Sequence, residues 1–271
     1  MSPYQLIALD IDGTLLNSRK EVPPECADAI RKAAAAGKTV VFCTGRAVCE
    51  LTEFFSMLPE IRWAVYASGA GLYDIQNRKT FSLRGLSRPD ADAVLALAKT
   101  KDIMPQLVIG DRDVIQASHM ERLERYHMEI YRPLYERAMT LVPDIYAYAE
   151  ACREDFLKIN LYHAVAAERV RTREQLSNLP IERVYSEISS VECSALGVNK
   201  GTGLLRLCEA LGVSPVACVA VGDAENDMPM LRTAGLGVAM GNAPAHVKAA
   251  ADYVAADCDH GGCAEAILKA L

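Results

Sequence analysis

The sequence has few of the features that mark membrane, secreted or nucleic-acid-binding proteins. No apolar run reaches the roughly 18 residues that a transmembrane helix needs. The N-terminus shows no charged-then-apolar pattern of the kind found in signal peptides. Positive charge is not in excess either, because 29 Lys and Arg residues face 35 Asp and Glu residues and leave a net charge of −6. A general nucleic-acid binder is normally basic, so we expect neither a membrane nor a nucleic-acid partner.

Spaced cysteine pairs are also missing. The nine cysteines are scattered, and several lie inside apolar runs, as Cys43 and Cys218 do. This placement is typical of reduced packing residues in a cytoplasmic protein. The one local cluster, at residues 258–263, lacks the second spaced pair of a structural zinc site. We therefore predict a cytoplasmic protein whose cysteines are packing residues.

The chain is long enough, at 271 residues, to bury a substantial core in one large or two modest domains. Its first third alternates apolar runs of strand length with stretches that carry apolar residues at helical spacing. Strands are predicted at residues 4–9, 38–43 and 63–67, and helices at 23–37 and 47–58. This alternation is typical of an α/β fold with a doubly wound parallel sheet and right-handed crossovers.

The alternation changes after about residue 83. Residues 84–190 mix helix-like and strand-like runs, which predicts an α+β module inserted into the first domain. Strands are predicted there at 106–109, 114–116 and 156–162, and the last of these alternates as a half-buried strand does. The parallel pattern returns with a helix at 201–212. The predicted domains are a first core part at 1–83, an inserted α+β cap domain at 84–190 and a second core part at 191–271.

Polar residues cluster where the predicted parallel strands end. They are Asp10, Asp12, Thr44, Gly45, Asp223, Asn226 and Asp227, with Lys200 just ahead of a helix. In open α/β sheets, ligands bind beyond the carboxyl ends of the strands. Neighbouring carboxylates resist ionising together, and Mg²⁺ resolves that conflict because it prefers carboxylate and carbonyl oxygens. Each cluster alone fits an ordinary capped turn, but their joint occurrence at one sheet edge predicts a functional site.

Four of these stretches, in this order, resemble the signature motifs of a known family. They are Asp10-Ile11-Asp12-Gly13-Thr14-Leu15, Thr44-Gly45-Arg46, Lys200, and Gly222-Asp223-Ala224-Glu225-Asn226-Asp227. The chain resembles the haloacid dehalogenase superfamily, and within it the Cof-type sugar-phosphatase-like branch. The resemblance covers both flanks, whereas the middle is similar only in its size and in its position between the second and third motifs. It implies a Rossmann-like core with an inserted α+β cap domain.

Two positions depart from the pattern of that branch. After the third strand this branch usually has Asn-Gly-Ala, whereas this chain has Ser68-Gly69-Ala70, with Ser in place of Asn. In the fourth motif, Ala224 stands where a small hydroxyl residue is usual. Neither position is the nucleophile or a metal ligand in the family. We expect these departures to change the edge of the site or to remove a capping hydrogen bond, and to leave the chemistry unchanged.

The resemblance implies Mg²⁺-dependent hydrolysis of phosphomonoesters of small metabolites, sugar phosphates above all, through an aspartyl-phosphate. Asp10 would attack phosphorus, and Asp12 would protonate the leaving oxygen and then activate water. The implied catalytic residues are Asp10, Asp12, Thr44 and Lys200, the last of which would neutralise charge on the transferred group. The implied metal ligands are Asp10, Asp12 through its backbone carbonyl, Asp223 and Asp227. The implied substrate-binding residues are Ile11, Thr44, Gly45, Lys200 and Asn226.

Three other functions stay open at this point. A phosphomutase would use the same aspartyl-phosphate and return the phosphoryl group to its substrate. A phosphorylation-driven receiver-like module also joins acidic residues, Thr and Lys at a parallel sheet. A receiver carries no large inserted lid, however, and needs a durable acyl-phosphate, against which the adjacent base Asp12 argues. The third is a non-catalytic sugar-phosphate binder, although no catalytic position of the family is missing. The expected partner of the enzyme is a small-molecule phosphate ester.

The inserted stretch also holds polar and aromatic residues that could contact a substrate. They are His119, His127, His163, Arg122, Arg125, Arg132, Tyr126, Tyr131, Tyr135, Tyr146 and Tyr148. We interpret the histidines as surface or packing residues, the arginines as a solvated helix face, and the tyrosines as packing within the insert.

Overall fold

The computed structural model describes residues 2–271, whose strands form two sheets. In chain order the strands are β1 (Leu6–Leu9), β2 (Thr39–Cys43), β3 (Trp63–Tyr66), β4 (Gly71–Asp74), β5 (Lys79–Leu83), β6 (Ile103–Ile109), β7 (Arg112–Gln116), β8 (Met139–Val142), β9 (Phe156–His163), β10 (Ile181–Val184), β11 (Ser190–Ala195), β12 (Cys218–Gly222), β13 (Leu236–Ala239) and β14 (Tyr253–Val254). The first sheet has the order β14-β13-β12-β1-β2-β3-β4-β5, and the second has the order β10-β11-β9-β6-β7-β8.

Helices connect most of these strands. In chain order they are α1 (Pro24–Ala35), α2 (Thr52–Met57), α3 (Arg88–Lys99), α4 (Ala117–Met120), α5 (Arg132–Ala138), α6 (Ile145–Ala151), α7 (Glu168–Gln175), α8 (Lys200–Leu211), α9 (Met228–Thr233), α10 (Ala245–Lys248) and α11 (Gly262–Lys269). Short 3₁₀ helices lie at Val48–Leu51, Ala67–Gly69, Leu123–Tyr126, Glu129–Tyr131, Pro215–Ala217 and Glu225–Asp227. Across residues 2–271, no helix combines the length and the apolar character needed to cross a bilayer.

The centre of the first sheet is β1, whose four residues are apolar and fully buried. It pairs in parallel with β2 on one side and with β12 on the other, and β3, β13 and β14 extend the parallel region. A parallel strand covered on both faces is expected to be continuously apolar. The predicted α/β fold with a doubly wound parallel sheet is therefore confirmed.

One edge of this sheet was not predicted. Ala67, Ser68 and Gly69 all have positive φ angles, so the chain reverses directly after β3 instead of entering a crossover helix. β4 then runs antiparallel to β3, and β5 completes that edge.

The second sheet is mostly antiparallel and is covered on both faces. One face packs Leu107, Ile159 and Val191 against apolar side chains of α3, and the other packs Ile115 and Tyr162 against residues of the 117–138 segment. This second covering layer explains why β9 is buried along its whole length. The prediction of a half-buried strand at 156–162 was wrong because its polar side chains face a packed layer.

Residues singled out in the insert take the positions expected of packing and surface groups. Tyr126, Tyr131 and Tyr135 belong to the apolar cluster under the 117–138 segment, which confirms that they pack within the insert. His119 is buried and His127 is exposed. Arg125 pairs with the Asp102 carboxylate at the surface.

The chain divides into two compact units. The first consists of residues up to Gly45, Glu53–Ser82 and Asn199–Leu271, and the second consists of Arg46–Thr52 and Leu83–Val198. Residues 191–198 lie in the second unit, although the sequence analysis assigned them to the core, because β11 pairs antiparallel with β9 and β10. The Cys49 N–H donates to Asp111 O at 2.8 Å within the second unit, a backbone contact that leaves no trace in the sequence pattern.

Candidate active site

The carboxyl ends of β1, β2 and β12 lie side by side in the first sheet and bring polar residues to one edge. Asp10 directly follows β1, and its N–H donates to Val221 O at 3.0 Å, which ties it to β12. Thr44 follows β2, and its N–H donates to Val65 O at 2.9 Å. Asp223 follows β12. Because neighbouring parallel strands end at the same edge, their first polar residues meet there.

Lys200 reaches this edge from the first turn of α8. Asn199 caps that helix, since its Oδ1 accepts the N–H of Thr202 at 3.0 Å. The Lys200 Nζ donates to Asp10 Oδ1 and to Asp227 Oδ1 at 2.6 Å each, and its side chain is only 1% exposed. Burial alone lowers the pKa of Lys200, but the two carboxylates outweigh it and raise that pKa above its ordinary value. The ammonium is therefore a permanent positive charge between two acids.

Three carboxylates converge around this lysine. Asp10, Asp223 and Asp227 each bring an oxygen within 4.8 Å of the other two. Burial raises the pKa of Asp10 to about 7, the charge of Asp227 acts in the same direction, and Lys200 opposes them. Burial, followed by the charges of Asp10 and Asp227, raises the pKa of Asp223 well above its ordinary value. Asp10 and Asp227 are buried and Asp223 is partly buried. One ammonium does not balance three such acids, so this donor set fits a divalent cation that prefers carboxylate oxygens, as Mg²⁺ does.

Further hydrogen bonds orient the three carboxylates. Asp227 Oδ2 accepts the N–H groups of Asp223 and Ala224, both at 2.9 Å. The Thr14 hydroxyl donates to Asp223 Oδ1 at 3.0 Å. The Asn242 amide donates to Asp223 Oδ2 at 3.3 Å. Outer contacts of this kind fix the direction in which a carboxylate oxygen can meet a metal ion.

Gly13 lets the backbone pass close to these acids. Its φ is +77°, and a Cβ added there would lie less than 3.0 Å from the Asp223 carboxylate. Its carbonyl oxygen accepts a hydrogen bond from the Asn242 amide at 2.9 Å. Any side chain at this position would therefore displace Asp223 or the turn itself.

Asp12 lies outside the carboxylate cluster. Its Oδ1 accepts from Lys20 Nζ at 2.9 Å, and its side chain is 21% exposed. Within residues 2–271 the group of converging carboxylates contains Asp10, Asp223 and Asp227 but not Asp12. The predicted role of Asp12 as a metal ligand therefore depends on its backbone carbonyl, and its side chain is left for other chemistry.

The remaining predicted site residues occupy the same unit. Ile11 is fully buried, and its carbonyl oxygen accepts the N–H of Leu16 at 2.8 Å. Gly45 directly follows Thr44 and is partly exposed. Asn226 is buried, and its Oδ1 has no hydrogen-bond partner within residues 2–271. Buried acceptors are nearly always satisfied in folded proteins, so this oxygen is available to a ligand.

A comparison with protein families decides the family. The family model of haloacid dehalogenase-like hydrolases matches residues 7–267. This chain belongs to that family.

Similar proteins agree with this membership along nearly the whole chain. Phosphatase YwpJ of Bacillus subtilis (strain 168) is 29% identical over 288 residues, covering 98% of this chain and 100% of that protein. The 5-amino-6-(5-phospho-D-ribitylamino)uracil phosphatase YcsE of the same strain is 28% identical over 264 residues, covering 97% and 94%. The solved structure of a haloacid dehalogenase-like hydrolase from B. subtilis matches with a TM-score of 0.87 at 27% identity, covering 98% and 100%.

In this haloacid dehalogenase-like hydrolase, the structure adds three residues that the sequence analysis did not assign to the site: Thr14, Lys20 and Asn242. Thr14 stands inside the first motif, and Asn242 follows β13 at the edge that carries Asp223. The position of each residue in the sequence, inside a motif or after a parallel strand, could therefore have indicated a place in the site. Lys20 had none, because its approach to Asp12 depends on the turn in which the Lys20 N–H donates to Asn17 O at 3.0 Å.

The two departures from the family pattern involve backbone contacts. The Ser68 N–H donates to Thr44 O at 3.0 Å, and Ser68 has a φ of +55°. The Ala224 N–H donates to Asp227 Oδ2. A side chain of a different type at either position leaves these particular hydrogen bonds intact.

Proposed function

We propose that this hydrolase is a Mg²⁺-dependent phosphomonoester hydrolase that acts on small phosphorylated metabolites through an aspartyl-phosphate. Its general class, a phosphatase, follows from family membership and from phosphatase relatives that match along nearly their full length. The observation that carries the finer proposal is the contact of Lys200 with both Asp10 and Asp227. That contact joins a buried nucleophile, a fixed positive charge and an acidic donor set.

Asp10 is the proposed nucleophile. One of its carboxylate oxygens forms a bond to phosphorus while the bond from phosphorus to the ester oxygen breaks. Burial favours the neutral form of Asp10, so the positive charge of Lys200 is needed to keep the carboxylate ionised near neutral pH. Asp10, Asp223, Asp227 and the Asp12 carbonyl would hold Mg²⁺, which supplies positive charge for the phosphoryl oxygens when bound.

Asp12 is the proposed general acid and base. It gives a proton to the leaving alcohol oxygen and then takes a proton from the water that attacks the aspartyl-phosphate. The second step releases inorganic phosphate and restores Asp10. The ion pair with Lys20 holds the Asp12 side chain in place between the two steps. The groups proposed to bind the phosphoryl oxygens are donors: the Thr44 hydroxyl, the backbone N–H groups of Ile11 and Gly45, the Lys200 ammonium and the side-chain N–H of Asn226.

The proposed substrates are sugar phosphates and related polyol phosphates. One relative is named for a compound with a phosphorylated ribityl chain. In the second unit, Gln106 Oε1 accepts hydrogen bonds from Tyr162 at 2.9 Å and from Asn160 at 3.0 Å. The Asn160 Oδ1 is buried and has no partner within residues 2–271. A leaving-group hydroxyl would satisfy such an acceptor, so we propose that the second unit is a cap that selects the leaving group.

We also propose that the enzyme works in the cytoplasm. The support is the position of its cysteines, most of which are buried as packing residues, such as Cys43, Cys193 and Cys218. Thiols in the core are typical of proteins from reducing compartments.

A panel of phosphorylated metabolites, supplied with Mg²⁺, tests this proposal by the release of inorganic phosphate. Release should stop in excess chelator and return with Mg²⁺, and Ca²⁺ should inhibit because it prefers more ligands and looser geometry. A phosphomutase would interconvert phosphate isomers without releasing phosphate, and a receiver-like module would be phosphorylated without turnover. Undiminished hydrolysis in excess chelator would contradict the metal-dependent mechanism.

A further inference from the structure

A second polar cleft lies within the second unit, and none of its lining residues is assigned to the phosphoryl-transfer site. It has a volume of about 320 Å³ and lies between α7 and the start of β6. Its charged and titratable lining consists of Lys101, Asp102, His163, Glu168 and Arg171. None of these residues has a role in the proposed hydrolysis.

A chain of hydrogen bonds fixes Lys101 in this cleft. His163 Nδ1 lies 2.7 Å from Ser189 O, which can only accept, so this nitrogen carries the proton. Burial lowers the pKa of His163 and so favours the neutral ring, whose Nε2 accepts from the Thr172 hydroxyl, 2.8 Å away. The Thr172 oxygen in turn accepts from Lys101 Nζ at 3.0 Å. Both His163 and Thr172 are buried, so the position of the Lys101 ammonium is set by the interior of the unit.

The two cations of the cleft keep unused hydrogen-bond donors. The Lys101 ammonium donates one N–H to the Thr172 hydroxyl oxygen, and within residues 2–271 it forms no ion pair. The Arg171 guanidinium likewise has no ion pair or hydrogen-bond partner in that part of the chain. Burial lowers the pKa of Lys101, Glu168 opposes this change, and Arg171 adds to it. A bound oxyanion would oppose the effects of burial and of Arg171 on the Lys101 ammonium, because it accepts hydrogen bonds and brings negative charge.

The carboxylates of the cleft do not neutralise the positive charge of Lys101 and Arg171. Asp102 is held by the Arg125 guanidinium, with Nε to Oδ2 at 3.0 Å, and by the Tyr126 hydroxyl at 3.2 Å. Glu168 is exposed and is the one acidic group of the lining that Arg125 does not neutralise. His163 stays neutral in the hydrogen-bond arrangement described above, and burial lowers its pKa. The cleft therefore retains net positive character.

We propose that this cleft is a second ligand site, which binds a small oxyanion through the Lys101 ammonium and the Arg171 guanidinium. The ligand class is a molecule that carries a phosphate or carboxylate group, since either offers at least two acceptor oxygens to the paired cations. Binding at this site is independent of the proposed phosphatase activity.

The test is an NMR titration of the ¹⁵N-labelled full chain with inorganic phosphate, and separately with acetate, in excess chelator. Amide signals near Lys101, His163 and Thr172 should shift with saturation. The double variant Lys101→Gln/Arg171→Gln should bind more than roughly tenfold more weakly. The matched control is Lys99→Gln/Arg153→Gln, which removes the same charge from exposed positions of the same unit and should bind as the unaltered chain does.

The two anions identify which group the cleft accepts, and a response to either supports the site. Unchanged amide signals around the cleft, or equal affinity in Lys101→Gln/Arg171→Gln, would overturn it. Arg171→Gln alone guards against a folding defect, because Arg171 is exposed. This test does not depend on the proposed function, because it reads amide signals in excess chelator. If the chain had no phosphatase activity, the amide shifts at the cleft would still be expected.

Discussion

At the level of single residues, Gly13 gives a sharp test of the site geometry. Its positive φ and its closeness to Asp223 mean that Gly13→Ala must move the turn or the carboxylate. A misplacement of about 1 Å near the reacting groups can reduce turnover by about 10²-fold. We therefore expect Gly13→Ala to lower kcat/KM by about that factor in a phosphate-release assay.

Gly37→Ala is the matched control for this prediction. Gly37 has a φ of +76°, close to that of Gly13, but a Cβ added there meets nothing within 4 Å. Its backbone strain should lower stability and leave kcat/KM nearly unchanged. Equal losses of activity in the two variants would show that strain, and not the contact with Asp223, is responsible.

At the level of secondary-structure elements, β7 carries a buried acid that should contribute to the pH dependence of stability. Burial raises the pKa of Asp113 well above its ordinary value, Glu50 acts in the same direction, and Lys158 opposes them. The folded state therefore keeps a proton that the unfolded state releases above about pH 4. The free energy of unfolding should fall as the pH rises from about 4 towards the pKa of Asp113 in the folded state, by at most about 1.4 kcal/mol per pH unit.

Asp113→Asn should remove the contribution of Asp113 to this slope, because an amide does not titrate. Urea unfolding between about pH 4 and pH 8 should show the variant gaining stability relative to the unaltered chain as the pH rises. Asp111→Asn is the control, since Asp111 lies in the neighbouring turn and is exposed. If the free energies of unfolding of Asp113→Asn and the unaltered chain changed in parallel with pH, the raised pKa of Asp113 would be contradicted.

The accuracy of the sequence predictions also varies from element to element. β1, β2 and β12 were predicted because a strand covered on both faces is continuously apolar. The reversal into β4 was missed because Ala67 and Ser68 adopt positive φ without being glycine. The burial of β9 was misjudged because alternation cannot distinguish solvent from a second packed layer that contains polar partners, such as Glu192 beside Lys158 at 3.1 Å.

At the level of the whole molecule, the acidic cluster should couple metal binding to stability. In the absence of metal, Asp223→Asn should raise the melting temperature, because it removes one of three acids that converge around a single lysine. Mg²⁺ at about 100 times its Kd should stabilise the unaltered chain by about 2.7 kcal/mol and the variant much less. Asp28→Asn, an exposed change in the same unit, should respond to Mg²⁺ like the unaltered chain.

The two units are expected to divide the work between phosphoryl transfer and substrate selection. Asn160→Ala in the second unit should change the ratio of kcat/KM values among sugar phosphates, because it removes the unpartnered acceptor proposed for the leaving group. Hydrolysis of a small activated phosphoester should stay within about twofold, since binding energy from the leaving group is absent there. Ile159→Val, on the apolar face of the same strand, should leave the ratio unchanged.

The candidate site was more predictable than the insert for a physical reason. Asp10, Thr44 and Asp223 are fixed by short apolar strands whose order and direction follow from local patterns. Lys20 depends on a turn of irregular backbone, and Lys101 depends on a buried hydrogen-bond chain between distant segments. Contacts of that kind have no periodic signature, so only the folded structure reveals them.

The most direct test of the central claim is to trap the aspartyl-phosphate. Asp12→Asn should still let Asp10 attack phosphorus, but it should slow the water-dependent second step, so the intermediate accumulates. Mass spectrometry after an acid quench should then find one phosphoryl group on the peptide that contains Asp10. The double variant Asp10→Asn/Asp12→Asn should carry none. A phosphoryl group on another residue, or undiminished phosphate release from folded Asp10→Asn protein, would contradict the assignment of Asp10 as the nucleophile.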